Sequence, residues 1–199
     1  MKKILVTLYI LLACTSLSYQ SRADELDGLW TSPCFPIGKQ GRHGYIVESY
    51  IDKININAVA TIYETNNCQI ETVEINYTGE IHKEKDGAHN RFNITHVLRN
   101  ITFSLKKNDV VDYYNKSKGN EGCGVSGWKL STPVSVLGRT CGSFKFGKNG
   151  AIYKDTITIN DNSLEFAEFP HLIFSTENST KVHQASAIFR RASKASSGQ

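Results

Sequence analysis

The sequence predicts an all-β domain, an antiparallel barrel or sandwich with one short helix. Three observations carry this. Apolar and polar residues alternate with period two through most of the chain. Clusters of turn-forming residues separate the alternating runs. A single segment departs from that pattern towards helical spacing.

The chain begins Met1-Lys2-Lys3 and is apolar over residues 4–13 except for Thr7. A basic start followed by about ten apolar residues is the pattern of a secretory leader, since a membrane span needs about twenty. Residues 1–23 are therefore read as a signal peptide. Ser21-Arg22-Ala23 supplies small residues at the first and third positions before the cut, which leaves Asp24 as the mature terminus. A second reading takes Leu11-Leu12-Ala13-Cys14 as a lipobox, with Cys14 lipidated, although Leu12 stands where a smaller residue is usual. The first reading places the protein in the periplasm or outside the cell. The second makes it an outer-membrane lipoprotein, the one case in which a membrane is expected as a partner.

Removing residues 1–23 leaves 176 residues, enough for one domain with its own core, assigned to 24–192. The tail 193–199 offers nothing to bury. The whole chain carries 23 basic and 19 acidic residues. Lys2, Lys3 and Arg22 lie in the leader, so the mature domain has a net charge of +1. A near-neutral surface has little attraction for nucleic acid, and none is expected as a partner.

The first clear strand alternates from Ile54 through Ile56, Ala58, Ala60 and Ile62. Val73, Ile75, Tyr77 and Ile81 repeat the pattern after a turn at Asn66-Asn67. Asp86-Gly87 marks a hairpin tip. Phe92, Ile94, His96 and Leu98 then alternate on even numbers, and Ile101, Phe103 and Leu105 on odd numbers. The change of phase predicts a bulge or tight turn at Arg99-Asn100. Val110, Val111 and Tyr114 have helical spacing, with Asn108 to cap the start and Gly119 the end. Strand patterns return at 143–146, 151–159, 164–169, 172–175 and 185–190, with a hairpin turn at Asn160-Asp161-Asn162.

Apart from Cys14, four cysteines remain in an exported chain, and an even number favours two disulfides. Pairing neighbours in sequence gives Cys34–Cys68 and Cys123–Cys141. No Cys-x-x-Cys spacing supports zinc. The six histidines show no ligand spacing, so neither a metal nor a cofactor is expected. No Gly-x-Ser-x-Gly elbow or free thiol supplies a nucleophile, and an enzyme is not expected. Five Asn-x-Ser/Thr sequons begin at Asn76, Asn93, Asn100, Asn115 and Asn178, and most are read as coincidental in an Asn-rich chain.

Gly28-Leu29-Trp30 near the mature start and "AIFRR" in the last strand resemble the calycin superfamily, which includes bacterial lipocalin-like domains. The resemblance implies a lipocalin-like β-barrel, the alternative being a β-sandwich. It implies that the first and last strands are neighbours and that Gly28, Trp30 and Arg190 close one end, with the Arg190 guanidinium over the indole. Gly28 is expected where a backbone approaches too closely for a Cβ. The family's Thr-Asp-Tyr motif has only a partial echo in Asp112-Tyr113-Tyr114. Function then divides between two binding readings. In one, a small apolar ligand lies against Ile54, Ile56, Val73, Ile75 and Tyr77. In the other, the barrel is filled and its surface binds another protein. Bulky inward side chains would favour the second.

Overall fold

The computed structural model describes residues 25–87, 89–142, 144–169 and 187–192. The leader, Cys14, the run 172–175 and the tail lie outside the described residues. The strands are β1 (Gly28–Thr31), β2 (Phe35–Ile37), β3 (His43–Asp52), β4 (Asn55–Tyr63), β5 (Glu71–Lys85) and β6 (Arg91–Leu105). Helix α1 (Asn108–Lys116) follows, then β7 (Val134–Ser135), β8 (Thr140–Cys141), β9 (Phe144–Lys145), β10 (Ile152–Asn160), β11 (Ser163–Phe166) and β12 (Ala187–Arg191).

Eight of these form a closed antiparallel barrel in the order β1-β3-β4-β5-β6-β10-β11-β12, with β12 returning to β1. The architecture is that of a lipocalin-like barrel rather than a sandwich. Period two drives it: Val47 and Ile51 on β3, Ile56, Ala58 and Ala60 on β4, and Val73, Ile75, Tyr77 and Ile81 on β5 are all buried. Closure pairs β12 with β1, so neither strand is left with the free edge that an open sheet would present there. The phase change on β6 is a bulge, where Thr78 pairs with Asn100 and Gly79 with Leu98, leaving Arg99 unpaired.

Helix α1 lies where the spacing places it, but its capping differs from expectation. Lys107 is the N-cap residue, with no side-chain cap, and Asn108 is already helical. The helix ends at Ser117, whose N–H and hydroxyl both donate to the Tyr113 carbonyl, so Gly119 plays no part in stopping it.

The two ends of the barrel are built differently. Leu26, Trp30 and Arg191 lie with the β3–β4, β5–β6 and β10–β11 turns at one end. At the other, the chain between β6 and β10 packs on inward-facing Phe103. The rings of Tyr114, Trp128 and Phe146 lie 5.6, 5.9 and 6.3 Å from it. Both disulfides serve this second end. Cys34–Cys68 ties the start of β2 to the β4–β5 loop, and Cys123–Cys141 staples the chain beyond α1.

Candidate functional site

The sequence-predicted closure is partly as expected. Trp30 is fully buried, its indole N–H donates to the Leu26 carbonyl, and β1 pairs with β12. The stacked cation is Arg191, not Arg190. Its guanidinium carbon lies 4.3 Å from the centre of the Trp30 ring. The reason is strand parity: Phe189 is buried on β12, so Arg191 shares its face and Arg190 turns outward into solvent. Gly28 adopts φ +132°, and a Cβ there would come within 2.9 Å of Arg191 Nη1. The close neighbour is therefore a guanidinium rather than a backbone.

Of the residues expected to line the interior, Ile56, Val73, Ile75 and Tyr77 face inward and are buried. Ile54 does not. It is 50% exposed in the turn between β3 and β4, where Lys53 has φ +56°, so the alternation starts one step later than the pattern suggests. Among the described residues no group of three or more His, Cys, Asp or Glu side chains is placed to hold a metal ion.

The interior is polar at one point that the pattern does not mark. His96 on β6 is completely buried, and among the described residues neither ring nitrogen has a hydrogen-bond partner. Burial holds its pKa down at about 4 and keeps the ring neutral. Tyr77 stands edge-on to it at 6.4 Å, its hydroxyl also unpartnered and its acidity suppressed by burial. A Cβ on Gly79 would meet that hydroxyl at 2.6 Å and the Val97 carbonyl at the same distance. Glycine there makes room for the phenol to lean along β5. Ser49 on β3, opposite Trp30, is a further buried hydroxyl without a partner among the described residues.

Facing His96 is Phe169, stacked at 5.6 Å and 13° and fully buried. Phe166 and Phe189 complete the group at 4.7 and 6.0 Å from the Phe169 ring. Phe169 is not on a barrel strand. β11 ends at Phe166, and the Asp155 carboxylate on β10 holds two of the three residues that follow, Glu168 and Phe169. One carboxylate oxygen accepts N–H groups of Thr156 and Glu168, and the other accepts that of Phe169. Burial raises the Asp155 pKa, and the three backbone N–H groups pull it back.

Outside this segment lies a surface groove of about 460 Å³, lined in part by Glu84, Thr95, Lys154, Asp155 and Glu168. Ile94 and Asp155 border it although both are buried, so the groove reaches the barrel wall. The wall is thin there. β10 pairs with β6 over residues 152–158 but with β11 only over 157–160. Beyond that, the Ala167 N–H to the Thr156 carbonyl and the Asp155 carboxylate close the seam. His96, Asp155 and Phe169 are the site residues that sequence reasoning missed. No protein-family model and no curated protein matches this chain.

Proposed function

We propose that the protein is an exported, non-enzymatic binding protein of lipocalin-like type that receives a small, largely apolar ligand inside the barrel. One observation carries the reading. Among the described residues, the Tyr77 hydroxyl and both His96 nitrogens lie unpartnered in the interior, against a ring supplied from off the barrel strands. Buried polar groups are ordinarily satisfied, so a place where several are not is a place for a guest. Membership of the calycin superfamily is supported by the Trp30–Arg191 stack at the meeting of the first and last strands. Export is supported by the leader pattern and by two disulfides, which belong to an oxidising compartment.

Mass spectrometry of natively purified protein tests both parts. A mass excess lost on denaturation and an amino terminus at Asp24 are expected. A diacylglyceryl-modified Cys14 would move the protein to the outer membrane. Native protein with no guest would favour a second reading, in which the filled barrel binds another protein through its surface. The bulk of Tyr77, Phe166, Phe169 and Phe189 inside, and exposed Leu29 directly opposite exposed Tyr50, favour that reading.

A further inference from the structure

We infer that Phe169 is an internal stand-in for the ligand. The site it fills accepts a small planar aromatic molecule, neutral or cationic, that carries an N–H or O–H group and arrives through the groove beside Asp155. This rests on the interior-binding reading above and narrows it to a chemical class.

Shape comes from the stack. The Phe169 ring lies nearly parallel to His96 and within 6.0 Å of Phe166 and Phe189, so the space it fills is flat and ring-sized. Polarity comes from what that ring fails to do. A neutral imidazole offers one donor and one acceptor, and a phenol offers both, yet a phenyl ring satisfies neither. An aromatic of similar size with an N–H or O–H keeps the stacking and adds a hydrogen bond that the empty protein lacks.

Access comes from the seam. Among the described residues, the segment that carries Phe169 is tied to β10 by the Ala167 N–H and the two N–H groups on Asp155 rather than by strand pairing, so its displacement unpairs no barrel strand. Charge comes from the groove, where Glu84, Asp155 and Glu168 outnumber Lys154. An anionic ligand is disfavoured there.

The test is an NMR titration of the intact wild-type protein and of Phe169→Leu with three probes. Indole carries the N–H, indene is its isostere without one, and indole-3-acetate is anionic. Indole should bind wild type saturably and shift the His96 ring signals. Phe169→Leu should bind it at least tenfold tighter, because the stand-in no longer competes. Indene should bind about tenfold more weakly than indole, the size of one hydrogen bond, and indole-3-acetate more weakly still. Adding His96→Phe and Tyr77→Phe to Phe169→Leu should abolish the preference for indole over indene.

Equal binding of indole and indene by wild type and Phe169→Leu would overturn the chemical class while leaving interior binding intact. Affinity unchanged by Phe169→Leu would overturn the stand-in role. Binding that leaves the His96 signals unmoved would place the probe elsewhere and overturn the site. Failure of all three probes with both proteins would overturn this inference alone, because the interior-binding reading for other apolar guests is decided separately by the native mass spectrum.

Discussion

The guanidinium of Arg191 lies over the Trp30 ring at 4.3 Å, and its two terminal nitrogens donate to the carbonyls of Asp27 and Glu25 at 2.5 and 2.6 Å. One side chain therefore joins the last barrel strand to the first and also fixes the chain that leads into it. Trp30→Ala should cost about 3–5 kcal/mol, as loss of a large buried aromatic does. Arg191→Ala should cost roughly 1–3 kcal/mol through the lost cation–π contact and hydrogen bonds. Arg190→Ala should stay within about 0.5 kcal/mol of wild type. Urea denaturation ranks the three, and an Arg190 effect equal to that of Arg191 would reverse the parity assignment.

Gly44 is packed against the first disulfide. A Cβ there would lie 2.7 Å from Cys68 Sγ, 2.9 Å from Cys34 Sγ and 2.8 Å from the Thr65 carbonyl. Two of those neighbours are covalently joined and the third is backbone, so none can swing away. Gly44→Ala should destabilise by roughly 1–3 kcal/mol and leave a measurable fraction of free thiol after oxidative refolding. Peptide mapping of wild type should recover only Cys34–Cys68 and Cys123–Cys141 from the mature protein. Complete, normal pairing with unchanged stability in Gly44→Ala would refute the packing argument.

Asp155 accepts three backbone N–H groups, and Asp155→Ala leaves all three without that partner. A loss of roughly 3–5 kcal/mol is expected, with Asp155→Asn losing less because its amide oxygen still accepts. Chemical denaturation at neutral pH measures both. An alanine variant as stable as wild type would mean that the seam beside β10 does not depend on this carboxylate.

His96 makes the fold sensitive to acid. Its folded pKa of about 4 lies below the ordinary histidine value of 6.5, so the unfolded chain binds the proton more readily. Its contribution is intact above pH 6.5 and is lost progressively as pH falls towards 4. Asp155 acts with the opposite sign. Its raised pKa makes its contribution greatest in acid and lost as pH rises. Tyr77 on β5 and Tyr153 on β10, the strands either side of β6, have raised pKa values and stay neutral throughout this window. Comparing wild type with His96→Phe cancels the effect of Asp155, which both proteins share. Wild type should lose on the order of 3 kcal/mol more than the variant between pH 7 and pH 4. Parallel melting-temperature profiles for the two proteins would show that His96 is not the group responsible.

The barrel was legible because alternation is a strong signal on long strands. β4, β5 and β6 follow the sequence pattern, and the change of phase from Leu98 to Ile101 located the bulge without any structure. Parity failed on short elements. In "AIFRR", adjacent Ile188 and Phe189 fit either face, and five residues give no repeat to choose between them. Ile54 failed for a related reason: an apolar residue in a turn continues the count without sharing the strand's direction. The interior site was illegible because its parts are far apart in sequence. His96 sits in an apolar rhythm, Asp155 in a polar-looking strand, and Phe169 at the end of a run that reads as uninterrupted strand. Their meeting depends on β10 outrunning β11, a mismatch in strand length that only the three-dimensional pairing reveals.

Closure by β12 also sets the order in which this molecule can be completed. The Arg191–Asp27 hydrogen bond joins residues 164 positions apart. The earlier strands can pair as successive hairpins while the chain is still emerging. The seam between β1 and β12 cannot form until the final barrel strand arrives. A contact of such long sequence separation is slow to make. Until it forms, β1 and β11 each retain a free edge, open to pairing with another chain. Covering those edges is the task this topology sets for any factor that attends the nascent protein, and a truncation before residue 187 should yield aggregates rather than a smaller barrel.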